Sequence, residues 1–479
     1  MKLHELAGSG STPSTPLELE LADAAGPGLL RVERWLSPGP EAYVAQGHWR
    51  SGPVQARLLI GRHAAERFRR EREGARLLSA QGMAGPRLLA EGMQAGQGGW
   101  LLYEARENAE ALDARWRRVA GEPLISERQQ EVLGAGLAAL ATLHAKGLWH
   151  ERPGLDQLQS GAGETWWRDP GAIRAQTPGT PLSRDRVLDD LGRFFAQLPV
   201  RAEPFFEELL VHYLLVNGEH ALPLERLLDI SRRMRREGMR GFIRSLGRTG
   251  KHVQVSRGLG GLTAVVNGEA GRLSAILADP EAAMAGGKPL KLGDTTTVVR
   301  VETDSGPVVI KRYNLLGWRH WLRRCLVPTR AWRCWISGHR LEYLGIPTPR
   351  TLAVIENRCC GLRGRSYLIT EFRALPDLLH HLQPDAHTVP PEPEVNALEQ
   401  LFATLLRERI SHGDFKDTNL LWDQDHWVMI DLDAMRYHRW GARFRRAYEK
   451  DRRRVLENWR ADAAAFSVID ARLPHYVDG

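Results

Sequence analysis

Apolar and polar residues alternate over short runs in two separate stretches of the chain, and helical periodicities follow each stretch. In the later stretch, Leu290 to Val301 reads as strand, loop and strand. Asp304-Ser305-Gly306 reads as a turn, and Val308-Val309-Ile310-Lys311 as a third strand ending in a lysine. Ser366 to Thr370 is a further strand leading into Glu371-Phe372. Leu420-Leu421-Trp422 and His426 to Ile430 make a hairpin turned by Asp423-Gln424-Asp425. The earlier stretch echoes this order: Ala56 to Ile60 as the third strand, Phe68 to Leu78 as the next helix, Gly99 to Glu104 as a strand before a hinge, and Leu143 to His150 as a run into a loop. Pro204 to Asn217 and Leu222 to Leu246 are helical, with Leu209 to Val216 as a core helix. Leu382 to Glu394, broken by four prolines, is a loop. The 479 residues are too many for one core. The pattern divides them into a flexible or edge-strand leader (1–28), an αβ unit (29–200), a helical connector (201–252) and a second αβ unit (253–479).

Chemistry enters with Ser411-His412-Gly413-Asp414-Phe415-Lys416-Asp417-Thr418-Asn419 and the later Ile430-Asp431-Leu432-Asp433. A His-x-Asp-x-x-x-x-Asn run followed by an aspartate after an apolar strand is the spacing of a phosphoryl-transfer loop. Asp414 is the expected base for an attacking hydroxyl, and Asn419 and Asp431 are the expected ligands of magnesium. The hairpin brings those two, twelve positions apart, to one end of a ribbon. Lys311 is placed to neutralise the α- and β-phosphates of ATP. Gly293, Thr295 and Thr296 are expected to cover the phosphates with N–H groups and hydroxyls, although one glycine stands where three are usual. Glu371, at the end of its strand, is assigned to the nucleotide side. His412 is expected to brace the loop, and Lys416 to help neutralise the transferred group. Asp433 is either a second metal ligand or a hydrogen-bond partner that fixes the loop. The helix carboxylate that should pair with Lys311 is either Glu342 or missing.

These residues predict an α+β chain of tandem protein-kinase-like, two-lobed domains, the first degenerate. Laying His150 over His412 puts Arg152 at the position of Asp414 and Gln157 at that of Asn419. An arginine stays protonated and cannot serve as a base. Asp169 keeps the place of a metal-type aspartate, and either Arg57 or Arg62 substitutes for the lysine.

Composition adds a partner class. The net charge is +8 and the sequence pI about 9.5, which favours acidic partners. Arg312, Arg319, Arg323, Arg324, Arg330 and Arg333 are interleaved with Trp318, Trp321, Trp332 and Trp335. This suits either a membrane interface or a helix packed inward with its basic face outward. No nucleic-acid motif accompanies the charge, so no nucleic-acid partner is expected. The four cysteines (Cys325, Cys334, Cys359, Cys360) lack metal spacing and suit a reducing, cytosolic setting. No signal peptide or membrane span is read from the chain.

The later unit, over roughly 285–465, resembles the lipopolysaccharide core kinase family, the InaA-type sugar kinases. The stretches that carry the likeness are Leu292 to Val301, Val309 to Asn314, Leu344 to Pro349, Arg363 to Tyr367, His412 to Asn419 and Ile430 to Asp433. The resemblance implies an ATP- and magnesium-dependent kinase acting on a sugar of the lipopolysaccharide inner core, such as heptose. It implies a peripheral enzyme at the cytoplasmic face of the inner membrane, close to an anionic surface. The late arginines, Arg436 to Arg454, would either contact core phosphates or solvate the last helices.

Overall fold

The computed structural model describes residues 2–8, 13–23, 26–37, 41–50, 52–94, 98–106, 108–315, 325–359, 362–382 and 390–476. The chain forms two compact units, one of residues 1–198 and 202–235, the other of 199–201 and 236–479. The division falls inside the helix Leu224–Ser245.

In the first unit, six antiparallel strands lie in the order Leu17–Asp23, Gly26–Ser37, Ala42–Trp49, Gly52–Leu59, Gly98–Glu104, Leu88–Gln94. The expected third strand is Gly52–Leu59. Its Val54, Ala56 and Leu58 point into one core, which leaves Gln55 and Arg57 on the other face. The helix expected after it is Ala64–Ala80. A second core, built on the helices Glu127–Ala145, Arg184–Phe195 and Phe206–Leu214, is packed around Leu137, Leu140, Leu191 and Phe206. Only part of Leu209 to Val216 is core: Leu209, Leu210 and Tyr213 are buried, whereas Val211, Leu215 and Val216 face solvent.

The second unit repeats the plan with seven strands, in the order Val253–Gly258, Gly261–Val266, Thr351–Cys359, Leu362–Glu371, Val308–Tyr313, Thr296–Val301, Lys288–Leu292. Val308 and Ile310 are buried on one face, so alternation turns Val309, Lys311 and Tyr313 to the other. Lys311 therefore lies inside its strand, two residues before the end. The helix Arg330–Leu344 packs on the sheet through Ala331, Cys334 and Trp335. A separate core forms where the helices Glu392–Glu408, Gly441–Leu456 and Ala463–Arg472 enclose Leu398, Phe402, Trp427, Tyr448 and Trp459.

Trp335 is fully buried and Trp332 half-buried, so for this pair the inward reading holds. The pair Trp318 and Trp321, with Arg319, Arg323 and Arg324, lies outside the described residues, as do Pro384 and Cys360. Cys325 and Cys334 are buried. Among the described residues, no helix is long and apolar enough to cross a membrane.

Candidate active site

The hairpin forms as expected. Leu420–Asp423 pairs with His426–Met429, with Trp422 opposite Trp427 and Gln424 at positive φ in the turn. Ile430 N–H donates to Asn419 O at 3.0 Å, which joins the two ends of the ribbon and sets Asn419 beside Asp431. Asp431 adopts the left-handed conformation (φ 58°), a region few non-glycine residues occupy and one that clusters at functional sites.

The loop before the hairpin is held from two directions. His412 is buried, and burial, the largest influence, lowers its pKa and keeps it neutral. Its Nε2–H donates to Ile430 O at 2.9 Å, so His412 braces the loop against the end of the hairpin. Gly413 sits at φ 82°, and a Cβ there would fall 2.8 Å from Ala434 O, so only glycine fits. From the helix Gly441–Leu456, Asp451 accepts hydrogen bonds from His412 N (2.6 Å) and Gly413 N (2.9 Å). Sequence reasoning missed Asp451: it lies 37 positions beyond Asp414, with no local motif around it. Asp414 itself is part-exposed and paired with Lys416 at 2.9 Å, and its carbonyl accepts from Asn419 Nδ2 at 2.9 Å.

Lys311 reaches across to this loop. Its Nζ lies 2.6 Å from Asp431 Oδ1 and 2.9 Å from Asp433 Oδ2. Burial would lower its pKa, but Asp433 and Asp431 outweigh burial and the shift is upward. Glu342 takes no part in this pairing, because its carboxylate accepts from Thr351 N at 2.8 Å and lies 3.1 Å from His339 Nδ1. Lys311, Asn419, Asp431 and Glu371 line one cleft of about 610 Å³, whose apolar walls include Val298, Leu421 and Ile430. Such walls can accept a flat base beside a cationic phosphate site. Glu371 is present with its carboxylate turned to Arg350 at 3.0 Å. Gly293, Thr295 and Thr296 do not line the cleft. They make a turn pinned by Asn314, which donates to Gly293 O and Asp294 O, and Thr296 is buried at a strand start. Asn419 and Asp431 supply amide and carboxylate oxygens, the hard donors that magnesium takes.

The first unit preserves part of this arrangement. Arg57, rather than Arg62, reaches into its site, 2.9 Å from Glu71 of the helix Ala64–Ala80 and 3.5 Å from Asp169. His150 stacks on Trp167 and accepts from Arg152 N. Gln157 turns its amide to Asp156. The Arg57–Glu71 pair was not legible in the sequence, because the helix glutamate is one of several in Arg70-Glu71-Arg72-Glu73.

In the second unit a sheet carrying a cleft lysine, a helix packed on that sheet, and a hairpin that sets Asn419 beside Asp431 next to the loop bearing Asp414 form one mixed sheet-and-helix site. Residues 316–464, wholly inside the second unit, match the model of the lipopolysaccharide kinase (Kdo/WaaP) family, so this unit carries that family's segment. No curated protein sequence matches the chain. Among solved structures, the chain is similar to WaaP in complex with acyl carrier protein, at 23% identity and TM-score 0.30, over 41% of this chain and 83% of that one. It is also similar to vaccinia related kinase 3 (14% identity, TM-score 0.29, 52% and 81% covered) and to WbdD (18% identity, TM-score 0.29, 43% and 50% covered).

Proposed function

We propose that the chain is an ATP- and magnesium-dependent kinase that phosphorylates a sugar hydroxyl, heptose by first preference, of the lipopolysaccharide inner core. It would act as a peripheral enzyme on the cytoplasmic face of the inner membrane, with 253–479 as the catalytic module, 201–252 as connector, 29–200 as a degenerate, non-catalytic module and 1–28 as leader. The observation that carries this reading is one cleft in which Lys311, Asn419 and Asp431 converge beside a loop bearing Asp414, in the unit that matches the lipopolysaccharide kinase family.

Asp414 would take the proton of the acceptor hydroxyl as that oxygen attacks the γ-phosphorus and the bond from it to the β-phosphate oxygen breaks, ADP leaving. Lys416, 2.9 Å from Asp414, would help neutralise the transferred phosphoryl group. Lys311 would leave Asp431 for the nucleotide's α- and β-phosphates. Asn419 and Asp431 would hold magnesium, which would supply positive charge to the nucleotide phosphates. His412 and Asp451 keep the loop's backbone in place.

The test is phosphate transfer from ATP with magnesium to purified underphosphorylated lipopolysaccharide core, wild type beside Asp414→Ala. The expected result is incorporation by the wild type and a fall of roughly 10²–10⁴-fold in the variant. No incorporation by a wild type that binds ATP moves the acceptor to another hydroxyl. A wild type that binds no ATP sinks the kinase reading.

A further inference from the structure

A kinase-type strand lysine is ordinarily held by a glutamate from the neighbouring helix, and the two units of this chain place that carboxylate differently. In the first unit the carboxylate is on the helix: Glu71 lies 2.9 Å from Arg57, both nearly buried. Two residues after Asp169 stands Gly171, where an added Cβ would lie 3.7 Å from both the Cα and Oε2 of Glu71. A Cβ at 171 would thus pack against Glu71 at ordinary van der Waals distance. In the second unit the residue two after Asp431 is Asp433, and the helix residue facing it is Cys334, whose Sγ is 2.9 Å from Asp433 Oδ1.

Asp433 is saturated. Its Oδ1 accepts from Tyr313 Oη (2.6 Å) and Cys334 Sγ (2.9 Å), and its Oδ2 from Lys311 Nζ (2.9 Å) and Arg330 (2.7 Å). A carboxylate offers about four acceptor sites, and four donors face this one, which favours the hydrogen-bond role of the two open in the sequence. We propose that Asp433 is the positioning residue for Lys311, doing from the loop what a helix glutamate does elsewhere, with the helix supplying donors, Arg330 and Cys334, in place of the anion. Asp431 can then leave Lys311 without stripping the lysine of its counter-charge. This inference rests on the kinase reading of the cleft.

The carboxylate's position is tested by moving it. Affinity for ATP with magnesium is measured by titration calorimetry on the full chain, with melting temperatures alongside, for wild type, Lys311→Ala, Asp433→Asn and the double variant Cys334→Glu/Asp433→Asn. Asp433→Asn is expected to bind at least tenfold more weakly. The double variant, carrying the carboxylate on the helix, is expected to recover to within about threefold of wild type. A folded Asp433→Asn that binds like wild type overturns the proposal. So does a double variant that melts as low as Asp433→Asn, or binds no tighter than Lys311→Ala. If Asp433→Asn does not fold, a folded double variant with near-wild-type affinity upholds the proposal. A wild type that binds no nucleotide overturns the kinase reading and this inference together. If the wild type binds nucleotide but leaves lipopolysaccharide core unmodified, only the acceptor assignment fails, and the affinity comparison still decides the role of Asp433.

Discussion

Two aspartates near the loop bearing Asp414 shift in opposite directions. Burial pushes the Asp451 carboxyl up to about 6, against the backbone donors of Gly413 and His412. Burial also acts upward on Asp433, but Lys311, Cys334 and Tyr313 outweigh it and hold this carboxyl near 2. The signs for stability follow. The contribution of Asp451, whose folded pKa is raised, is full below about pH 4 and is lost as the pH rises through about 6, a change of roughly 3 kcal/mol. The contribution of Asp433, whose folded pKa is lowered, is present above about pH 4 and is lost as the pH falls through about 2. Asp451→Asn removes the first titration alone. The melting temperature of the wild type, measured relative to this variant, should therefore drop between pH 5 and pH 7.5. A difference that stays constant across that range would show that Asp451 does not titrate there.

The helix Arg330–Leu344 carries Arg330 and Cys334 to the site, and its ends are fixed by local chemistry. Thr329 caps the first turn by accepting from Trp332 N at 3.1 Å, and its hydroxyl donates to the buried Glu356 at 2.5 Å. Gly345 ends the helix at φ 68°, Ile346 N bonds back to Leu341 O, and a Cβ at 345 would press 2.7 Å from Pro199. Thr329→Ala should cost about 1–2 kcal/mol, through loss of the cap and of the donor to Glu356, read by urea unfolding of the full chain. An unchanged midpoint would mean that the cap does not limit this helix. Such end signals are short-range, and so is the hairpin between Asn419 and Asp431, which the sequence showed to within a residue. The groups that hold the site are not short-range. Asp451 meets His412 across 39 positions and Tyr313 meets Asp433 across 120, so no spacing rule exposes them. Trp335 and its neighbours formed a basic, aromatic run with two readings, and only packing against the sheet decided between them.

At the scale of the whole molecule, the two units place their charged groups differently. In the first, Glu71 of the helix and Asp169 both face Arg57, and Arg152 and Gln157 stand at the positions that the sequence overlay gives to Asp414 and Asn419. In the second, Lys311 faces Asp431 and Asp433, while Glu342 of the helix is turned to Thr351. One replacement should therefore not restore the first unit. In an Asp414→Ala background, Arg152→Asp would supply a carboxylate at the base position, yet Arg57 would still stand in place of the lysine and Gln157 would still be tied to Asp156 at 2.6 Å. Phosphate transfer to lipopolysaccharide core should accordingly stay at the level of Asp414→Ala alone, within a few-fold. Recovery of more than about a hundredth of wild-type turnover would show that the first unit retains a working nucleotide site, and that only its base has been replaced.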